Sequence, residues 1–368
     1  MVTTGSFKLG KQDIEDLALG ATVLGTGGGG DPYIGKLMAI QAIEKYGPVE
    51  VVDPEDVEDD AFVISVAGMG APVVMIEKLP SGKEAGEALA SLERYFGRRA
   101  DYIISIEAGG MNSTIPIAAA ARFKRPLIDG DGMGRAFPEL QMVTFHLVGV
   151  KATPMSMADE KGNSVILDTV DNFWAERIAR AITVKFGGVA WIAIYPMSGR
   201  QFKAGAVRHS LSKEISIGQA LREAKACGAN PLDALLDATG GFLLFKGKIV
   251  DVLRRATGGF ARGEARIEGL EEFKGSELLI RFQNENLVAI RDGTVIASVP
   301  DLITVVEKDS AKPITTERLK YGLRVAVIGI PCDPKWRTPE ALRVVGPRYF
   351  GYDIDYVPIE EAVKRVGA

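Results

Sequence analysis

The sequence predicts an α/β fold in two parts: an N-terminal α/β domain with glycine-rich loops after its strands, and a second, β-rich domain. Patterns typical of helices and of strands alternate through the first half of the chain. Glycine accounts for 42 of the 368 residues and clusters where predicted strands end. Between residues 242 and 307, short alternating strands follow one another, with Gly, Asn or Asp turns between them.

The N-terminal elements follow from apolar spacing and from helix-start signals. Residues 11–24 place Ile14, Leu17 and other apolar side chains on one side of a helix. After a run of glycines, Asp31-Pro32 predicts an N-cap and a first helical position, opening a helix that reaches about residue 46. Strands are also predicted at 50–53, 61–67, 102–107 and 126–129, and helices at 83–96 and 113–122.

The second half is predicted to be a separate domain, with residues 1–168 in the first domain and 169–368 in the second. Helices at 171–186 and near 216–227 flank an apolar strand at 189–195. The last strong strand, 323–330, either stays in the second domain or returns to the first. The β-rich module of about residues 242–307 contains predicted strands at 242–253, 259–268, 276–283, 286–291, 294–298 and 301–306.

Charge and composition exclude several classes of protein. The net charge is −4, so there is no basic excess for nucleic-acid binding. Two cysteines cannot form a disulfide framework or a four-cysteine zinc site, and two histidines cannot form a three-histidine site. The start has no apolar signal-peptide core, and the longest uncharged run, residues 61–76, is broken by Gly and Pro. We therefore expect a cytoplasmic protein that does not enter a membrane.

The first candidate site is the glycine run before the second helix. Consecutive glycines expose backbone N–H groups, and a helix N-terminus favours anions, so a carboxylate, phosphate or oxyanion could bind there. The run matches neither a Walker loop nor a Rossmann fingerprint, since it follows a helix. The alternative is a tightly packed turn. The substrate-binding candidates are Gly27, Gly28, Gly29, Gly30 and Asp31.

The second candidate site follows the strand predicted to end at Glu107. A carboxylate at the carboxyl end of a strand is well placed in an α/β site, so Glu107 is a candidate general base. Gly110 and Asn112 are candidates for substrate binding, with the Asn112 amide holding a carbonyl. The alternative is a capping loop in which Asn112 or Ser113 starts the next helix.

The third candidate site contains Asp129 and Asp131, two residues apart at another strand end. Neighbouring carboxylates can share a proton, which raises one pKa, or can hold a cation together with Glu139. Arg135, in the same stretch, is a candidate substrate-binding residue. The alternative is a solvated turn.

Two further residues carry reactive groups. Cys332 follows a predicted strand and is either a nucleophile, a soft metal ligand or a structural thiol. His146 lies in an apolar stretch, which favours a core histidine over a catalyst.

Four segments, residues 24–32, 107–113, 129–142 and 345–358, resemble the DUF917 family, which is called S-methyl thiohydantoin desulfurase-like. The resemblance spans nearly the whole chain in the family's order. It implies an N-terminal α/β domain, a C-terminal domain rich in β structure, and a link to hydantoinase- and oxoprolinase-type proteins. The namesake activity hydrolyses the exocyclic C–S bond of an S-methyl thiohydantoin to give a hydantoin and methanethiol.

We therefore expect a hydrolase of a small cyclic amide or thioimide, in which an activated water attacks a hydantoin-like ring. Asp129 or Asp131 would be the base, while Glu107 and Asn112 would hold the ring and the glycine N–H groups would bind a carbonyl or carboxylate.

The cofactor and the partners stay open. If a divalent metal takes part, its ligands come from Asp129, Asp131, Glu139 and Cys332, although no spacing demands one. The alternatives are an ATP-binding, oxoprolinase-like ring-opening enzyme and a non-catalytic partner subunit of a hydantoinase. We expect a homo-oligomer with a small-molecule substrate, which could associate with hydantoinase subunits.

Overall fold

In a computed structural model, which describes residues 5–70, 74, 81–257 and 259–365, an eight-stranded mixed sheet organises the first part of the chain. Its order is β1-β2-β5-β4-β3-β9-β7-β8, and the central strands β2, β5, β4 and β3 are parallel. A short separate ribbon pairs β6 with β10. The strands of these two sheets are β1 (Phe7–Leu9), β2 (Val49–Val52), β3 (Phe62–Gly70), β4 (Tyr102–Ile104), β5 (Leu127–Ile128), β6 (Gly130–Asp131), β7 (Met155–Ala158), β8 (Ser164–Leu167), β9 (Val189–Ser198) and β10 (Val207–Arg208).

Helices occupy the segments between these strands, as the alternating pattern predicts. The predicted start of the second helix is confirmed: the Asp31 side chain accepts a hydrogen bond from the backbone N–H of Tyr33 at 2.8 Å, and Pro32 is the first helical residue. The helices of this part are α1 (Lys11–Leu24), α2 (Pro32–Tyr46), α3 (Glu84–Phe96), α4 (Ile115–Phe123), α5 (Thr144–Leu147), α6 (Asn172–Lys185), α7 (Gly199–Gly205), α8 (Ser210–Cys227) and α9 (Pro231–Thr239).

Helices α1 and α8 cross at unusually short range because each presents a glycine to the other. A Cβ atom on Gly218 would overlap the carbonyl group of Asp16, and one on Gly20 would overlap that of Glu214. An ion pair between Arg222 and Asp16 (2.9 Å) lies beside the crossing. The crossing therefore joins residues 210–227 tightly to the first helix of the chain.

A seven-stranded antiparallel sheet forms the second part, in the order β15-β14-β13-β12-β11-β17-β16. This confirms the predicted β-rich module. The last strand, β17, pairs with β11 and β16 in this sheet and not with the first sheet. The elements are β11 (Phe242–Thr257), β12 (Phe260–Gly269), β13 (Glu277–Gln283), β14 (Glu285–Arg291), β15 (Thr294–Ser298), β16 (Leu302–Glu307) and β17 (Arg324–Ile330), followed by α10 (Pro339–Val345) and α11 (Ile359–Arg365).

Some boundaries differ from the sequence prediction. Strand β4 ends at Ile104, so Glu107 lies in the following turn. Helix α8 begins at Ser210, earlier than the predicted start near 216, because the distant Asp129 accepts a hydrogen bond from the backbone N–H of Ser212 at 3.0 Å. Strand β9 belongs to the first sheet by its hydrogen bonds, whereas the predicted domain boundary at residue 168 stays a prediction.

The two sheets share one apolar core. Ile104, Met133 and Phe137 from the first part pack in the same buried cluster as Leu287 and Ile328 from the second. Within the described ranges, none of the helices combines the length and the apolar character needed to cross a bilayer.

Candidate active site

A cavity that is partly open to solvent lies where the two sheets meet. Its walls come from the ends of β3 and β4, from the loop after β6, and from the turn between β13 and β14. The carboxyl ends of parallel strands are the usual place for ligands in α/β folds. The lining residues are 29–30, 67–70, 106–107, 112, 133, 137–140, 180, 192 and 284–285.

Glu107 is the acid that the sequence placed beside a strand end, and it lines this cavity. Its side chain is only 5% exposed; Oε1 accepts a hydrogen bond from Asn112 Nδ2 at 2.7 Å, and Oε2 accepts one from the backbone N–H of Phe137 at 3.2 Å. Burial raises the pKa of Glu107 from 4.5 to about 7, although both hydrogen bonds act to lower it. Glu107 therefore titrates near neutral pH, as a general base requires.

Asn112 is held in place by the end of strand β3. Its Oδ1 accepts a hydrogen bond from the backbone N–H of Gly68 at 2.8 Å, and its Nδ2 also approaches the Gly68 carbonyl oxygen at 3.2 Å. Both ends of the amide are thus engaged, and the side chain orients Glu107. The predicted contact between Asn112 and a substrate carbonyl stays a prediction.

Glu285 is a second buried acid on the cavity, and the sequence analysis did not single it out. It is 3% exposed and follows Asn284, whose φ of 59° places it in the left-handed region. Burial, followed by the negative charge of Glu107, raises the pKa of Glu285 well above its usual range. Among the described residues, its Oε2 has no hydrogen-bond partner. Burial therefore favours the protonated form of the Glu285 carboxyl group.

The glycine run is needed for close packing against the second sheet. The Gly27 carbonyl oxygen accepts a hydrogen bond from the backbone N–H of Thr316 at 2.8 Å. A Cβ atom on Gly28 would overlap the carboxyl group of Glu285. Gly29 and Gly30 line the cavity, whereas Gly27 and Gly28 do not. Because the Glu285 side chain occupies the space against Gly28, the structure does not favour a phosphate at that part of the run.

Asp31 and Gly110 have packing roles outside the cavity lining. Besides capping α2, Asp31 forms an ion pair with Arg318, with 2.8 Å between Oδ2 and Nε. Gly110 lies against the backbone of Gly30, where a Cβ atom would come within 2.6 Å of the carbonyl oxygen. These two predicted binding residues support the loops that carry Gly29 and Gly30.

Arg135 is buried behind the cavity and connects the two parts of the chain. Its guanidinium donates hydrogen bonds to the carbonyl oxygens of Pro300 (2.7 Å) and Asp301 (3.0 Å), and it lies 4.3 Å from the centre of the Phe137 ring. Burial lowers the pKa of Arg135 to about 10, so the group stays cationic at neutral pH. Its positive charge acts to lower the pKa of Glu107, although Arg135 itself does not line the cavity.

Asp129 and Asp131 also lie outside the cavity lining. The Asp129 carboxylate caps helix α8, accepting hydrogen bonds from Ser212 N (3.0 Å) and Ser212 Oγ (2.5 Å). Asp131 Oδ1 accepts hydrogen bonds from the backbone N–H groups of Met133 and Gly134, and burial raises the pKa of Asp131 to about 6. The charge of Asp131 helps to raise the pKa of Glu107, but neither acid lines the cavity, and their catalytic assignment stays a prediction.

The four residues proposed as metal ligands belong to separate networks. Glu139 lines the cavity and accepts a hydrogen bond from Tyr349 Oη at 2.7 Å. Cys332 is buried, its backbone N–H donates to Asp301 at 2.9 Å, and burial raises its thiol pKa to about 12. Within the part of the chain that the structure describes, no group of three or more His, Cys, Asp or Glu side chains is arranged to hold a metal ion. A divalent metal at these residues therefore stays a prediction.

His146 and Arg180 complete the surroundings of the site. His146 is half-buried and outside the cavity lining, and its Nδ1 lies 3.0 Å from Asn172 Nδ2; whether it takes part in the chemistry stays a prediction. Arg180 lines the cavity and was not predicted. Its Nε forms an ion pair with Glu176 Oε1 at 2.7 Å, which holds the side chain in place. A lone arginine on an amphipathic helix gives no signal in the sequence.

Comparisons with known proteins place the chain in a family. Models described as S-Me-THD-like, N-terminal domain and S-Me-THD-like, C-terminal domain match residues 12–169 and 170–359. A crystal structure of a protein from Chromobacterium violaceum superposes with a TM-score of 0.81; it is 26% identical, and the match covers 96% of this chain and all of that one. No curated protein matches the chain. Because both family models match in order over nearly the whole length, the chain belongs to the S-Me-THD-like (DUF917) family.

Proposed function

We propose that this protein is a hydrolase that cleaves the exocyclic C–S bond of an S-methyl thiohydantoin-like ring. The observation that carries the proposal is the pair of buried carboxyl groups, Glu107 and Glu285, on one cavity. Burial raises the pKa of both groups, and the negative charge of Glu107 raises that of Glu285 further. Repulsion between two neighbouring carboxylates favours a state with one protonated and one ionised, as an acid and a base require. Family membership supports desulfurase-like chemistry and supplies the substrate class.

The proposed reaction begins when Glu107 removes a proton from a water molecule that attacks C2 of the ring. A C–O bond forms at C2, and the C–S bond then breaks. Glu285 gives its proton to the departing sulfur, so that methanethiol leaves as a neutral molecule. Over the whole cycle, the water loses two protons. One moves to the ring nitrogen. The other passes from Glu107 to Glu285, where it replaces the proton that Glu285 gave to the sulfur. The product is the hydantoin, with an oxygen at C2.

The other cavity residues bind and orient in this scheme. Asn112 and the backbone N–H of Phe137 donate hydrogen bonds to the two oxygens of Glu107, which fixes the orientation of its carboxylate. The walls at Gly29 and Gly30 allow the backbone to approach the ring closely. Arg180 places a positive charge on the cavity, where it stabilises negative charge that develops on the ring during attack.

The proposal is tested by incubating the purified protein with an S-methyl thiohydantoin and measuring released methanethiol with a thiol reagent. We expect turnover by the wild type and a loss of 100-fold or more in kcat for Glu107→Gln and for Glu285→Gln. The control is Glu50→Gln, a loss of one carboxylate on an exposed strand position, which should keep full activity.

Three results would contradict the proposal. Wild-type turnover by Glu107→Gln would exclude Glu107 as the base. Loss of thiol release in Asp131→Asn, with Glu107→Gln unaffected, would transfer the role to Asp131. If the wild type releases no thiol from any S-methyl thiohydantoin offered, the proposed substrate class is wrong.

A further inference from the structure

A second cavity lies at the opposite edge of the first sheet from the candidate active site. It is a depression open to solvent, where helices α3 and α4 end and where strands β4 and β5 begin. We call it the arginine cleft, after the five arginines that line it: Arg94, Arg98, Arg99, Arg122 and Arg125. It shares no lining residue with the cavity around Glu107.

The cleft concentrates positive charge on a chain whose net charge is −4. The only acid among its lining residues is Glu93, and Glu93 Oε1 already accepts a hydrogen bond from the backbone N–H of Ala100 at 2.8 Å. Five guanidinium groups around one open space repel one another unless anions are present. The cleft is therefore electrostatically prepared for an anion.

Two of the arginines have partners within the protein. Arg98 pairs with Asp101 at 2.6 Å, and Arg122 approaches the exposed Glu87 at 3.8 Å. Within the described ranges, no carboxylate lies within ion-pair distance of the other three.

Arg125 gives a second, independent observation. Its Nε is buried and, among the described residues, has no hydrogen-bond partner. A buried donor without an acceptor is costly in free energy, and an oxygen-rich ligand in the cleft would supply the acceptor once the guanidinium turns toward it.

Stabilisation of the helix ends explains the positions of only some of these arginines. Arg94 and Arg122 lie in the last turns of α3 and α4, where positive charge stabilises the helix dipole. Arg99 and Arg125 lie beyond the helix ends, in the loops before β4 and β5, so the dipoles do not explain them.

We propose that the arginine cleft binds a small molecule through a diphosphate or triphosphate group. The planar guanidinium forms paired hydrogen bonds with phosphate oxygens, and several arginines together match several phosphate charges. Because the cleft is open to solvent, an organic group attached to the phosphates can extend out of it. Because the two cavities share no residues, the inference stands apart from the proposed hydrolysis.

The test is isothermal titration calorimetry of the full-length protein at constant ionic strength with pyrophosphate, ATP and orthophosphate. We expect saturable binding of pyrophosphate and ATP, at least tenfold tighter than that of orthophosphate. ATP binding that exceeds pyrophosphate binding identifies a nucleotide as the source of the phosphates, and equal binding identifies the phosphate group alone.

Variants locate the site. Arg99→Ala/Arg125→Ala should weaken pyrophosphate binding at least tenfold, and Arg94→Ala alone should weaken it measurably if the double variant does not fold. The matched control is Arg343→Ala, which removes an exposed arginine from α10 and should leave binding unchanged. Thiol release should stay at the wild-type level in all of them.

Three results would overturn the proposal. The first is the absence of saturable binding of pyrophosphate and ATP. The second is binding that the cleft variants do not change. The third is binding of an aspartate-rich decapeptide when pyrophosphate does not bind, which would make the cleft a docking surface for a protein.

Discussion

Replacing Glu107 with Gln should make the folded protein gain stability relative to the wild type as the pH rises. The carboxyl group ionises at its usual pKa of 4.5 in the unfolded chain, but at about 7 in the buried site. Between these values the folded state binds more protons than the unfolded state, so the free energy of unfolding falls as the pH rises. Below pH 4.5 Glu107 is protonated in both states, and above about 7 the loss is complete.

The size of the effect follows from the two pKa values. A difference between 4.5 and about 7, at roughly 1.4 kcal/mol per pH unit, corresponds to about 3 kcal/mol. The glutamine amide does not ionise, so Glu107→Gln lacks this loss. The difference in stability between variant and wild type should therefore change by about 3 kcal/mol, in favour of the variant, between pH 4.5 and pH 8.

Urea unfolding at pH 4.5, 5.5, 6.5 and 8.0 measures this difference. Using the value at pH 4.5 as the reference removes any constant effect of the new amide on the bonds to Asn112 and Phe137. Glu50→Gln, at an exposed position, should follow the wild type across the series. If the Glu107→Gln and wild-type curves stay parallel, Glu107 has an ordinary pKa and the argument for a neutral-pH base fails.

Three variants and one measurement of the assembly state test further predictions. Asn112→Ala removes a hydrogen bond that favours ionised Glu107, so the rise of kcat/KM with pH should move to higher pH; an unmoved profile would deny Asn112 its positioning role. Gly218→Ala places a methyl group against the backbone of the facing helix and should lower the free energy of unfolding by about 2–4 kcal/mol in urea, whereas exposed Gln219→Ala on the same helix should not. Asp129→Ala should cost about 1–2 kcal/mol through loss of the α8 cap and retain thiol release, and an inactive, folded variant would restore Asp129 as a catalytic candidate. Light scattering should give a mass of two or more times 39.5 kDa, as expected of a homo-oligomer, and a monomer would contradict that prediction.

The fold could be predicted wherever the signal is local. Asp31-Pro32 marks a helix start within two residues, and the hairpins of the second sheet show their alternation and turns directly in the sequence. The start of α8 could not be predicted, because its cap, Asp129, comes from a loop far earlier in the chain. The sequence around Ser210 carries no sign of that contact.

The site was predicted in part for the same reason. Glu107 follows a strand that ends at an open cavity, and position after a strand is visible in sequence. Asp129 has the same local setting, but its carboxylate is used by a helix N-terminus, which only the tertiary structure shows. Glu285 stands in a polar hairpin turn of the kind that usually faces water. Its burial depends on Gly28, and the one available signal is that a glycine run without side chains must face something bulky.

The contact between Gly28 and Glu285 sets a time order for the protein's synthesis. A ribosome that has released residues 1–250 has delivered the proposed base, its amide support and the glycine walls, but not the turn that carries the proposed acid. On the proposed mechanism, activity is therefore acquired late, when the hairpin of β13 and β14 has emerged and covered the glycine run. A nascent chain or a prematurely terminated product would hold the proposed base without the proposed acid and would not complete a turnover.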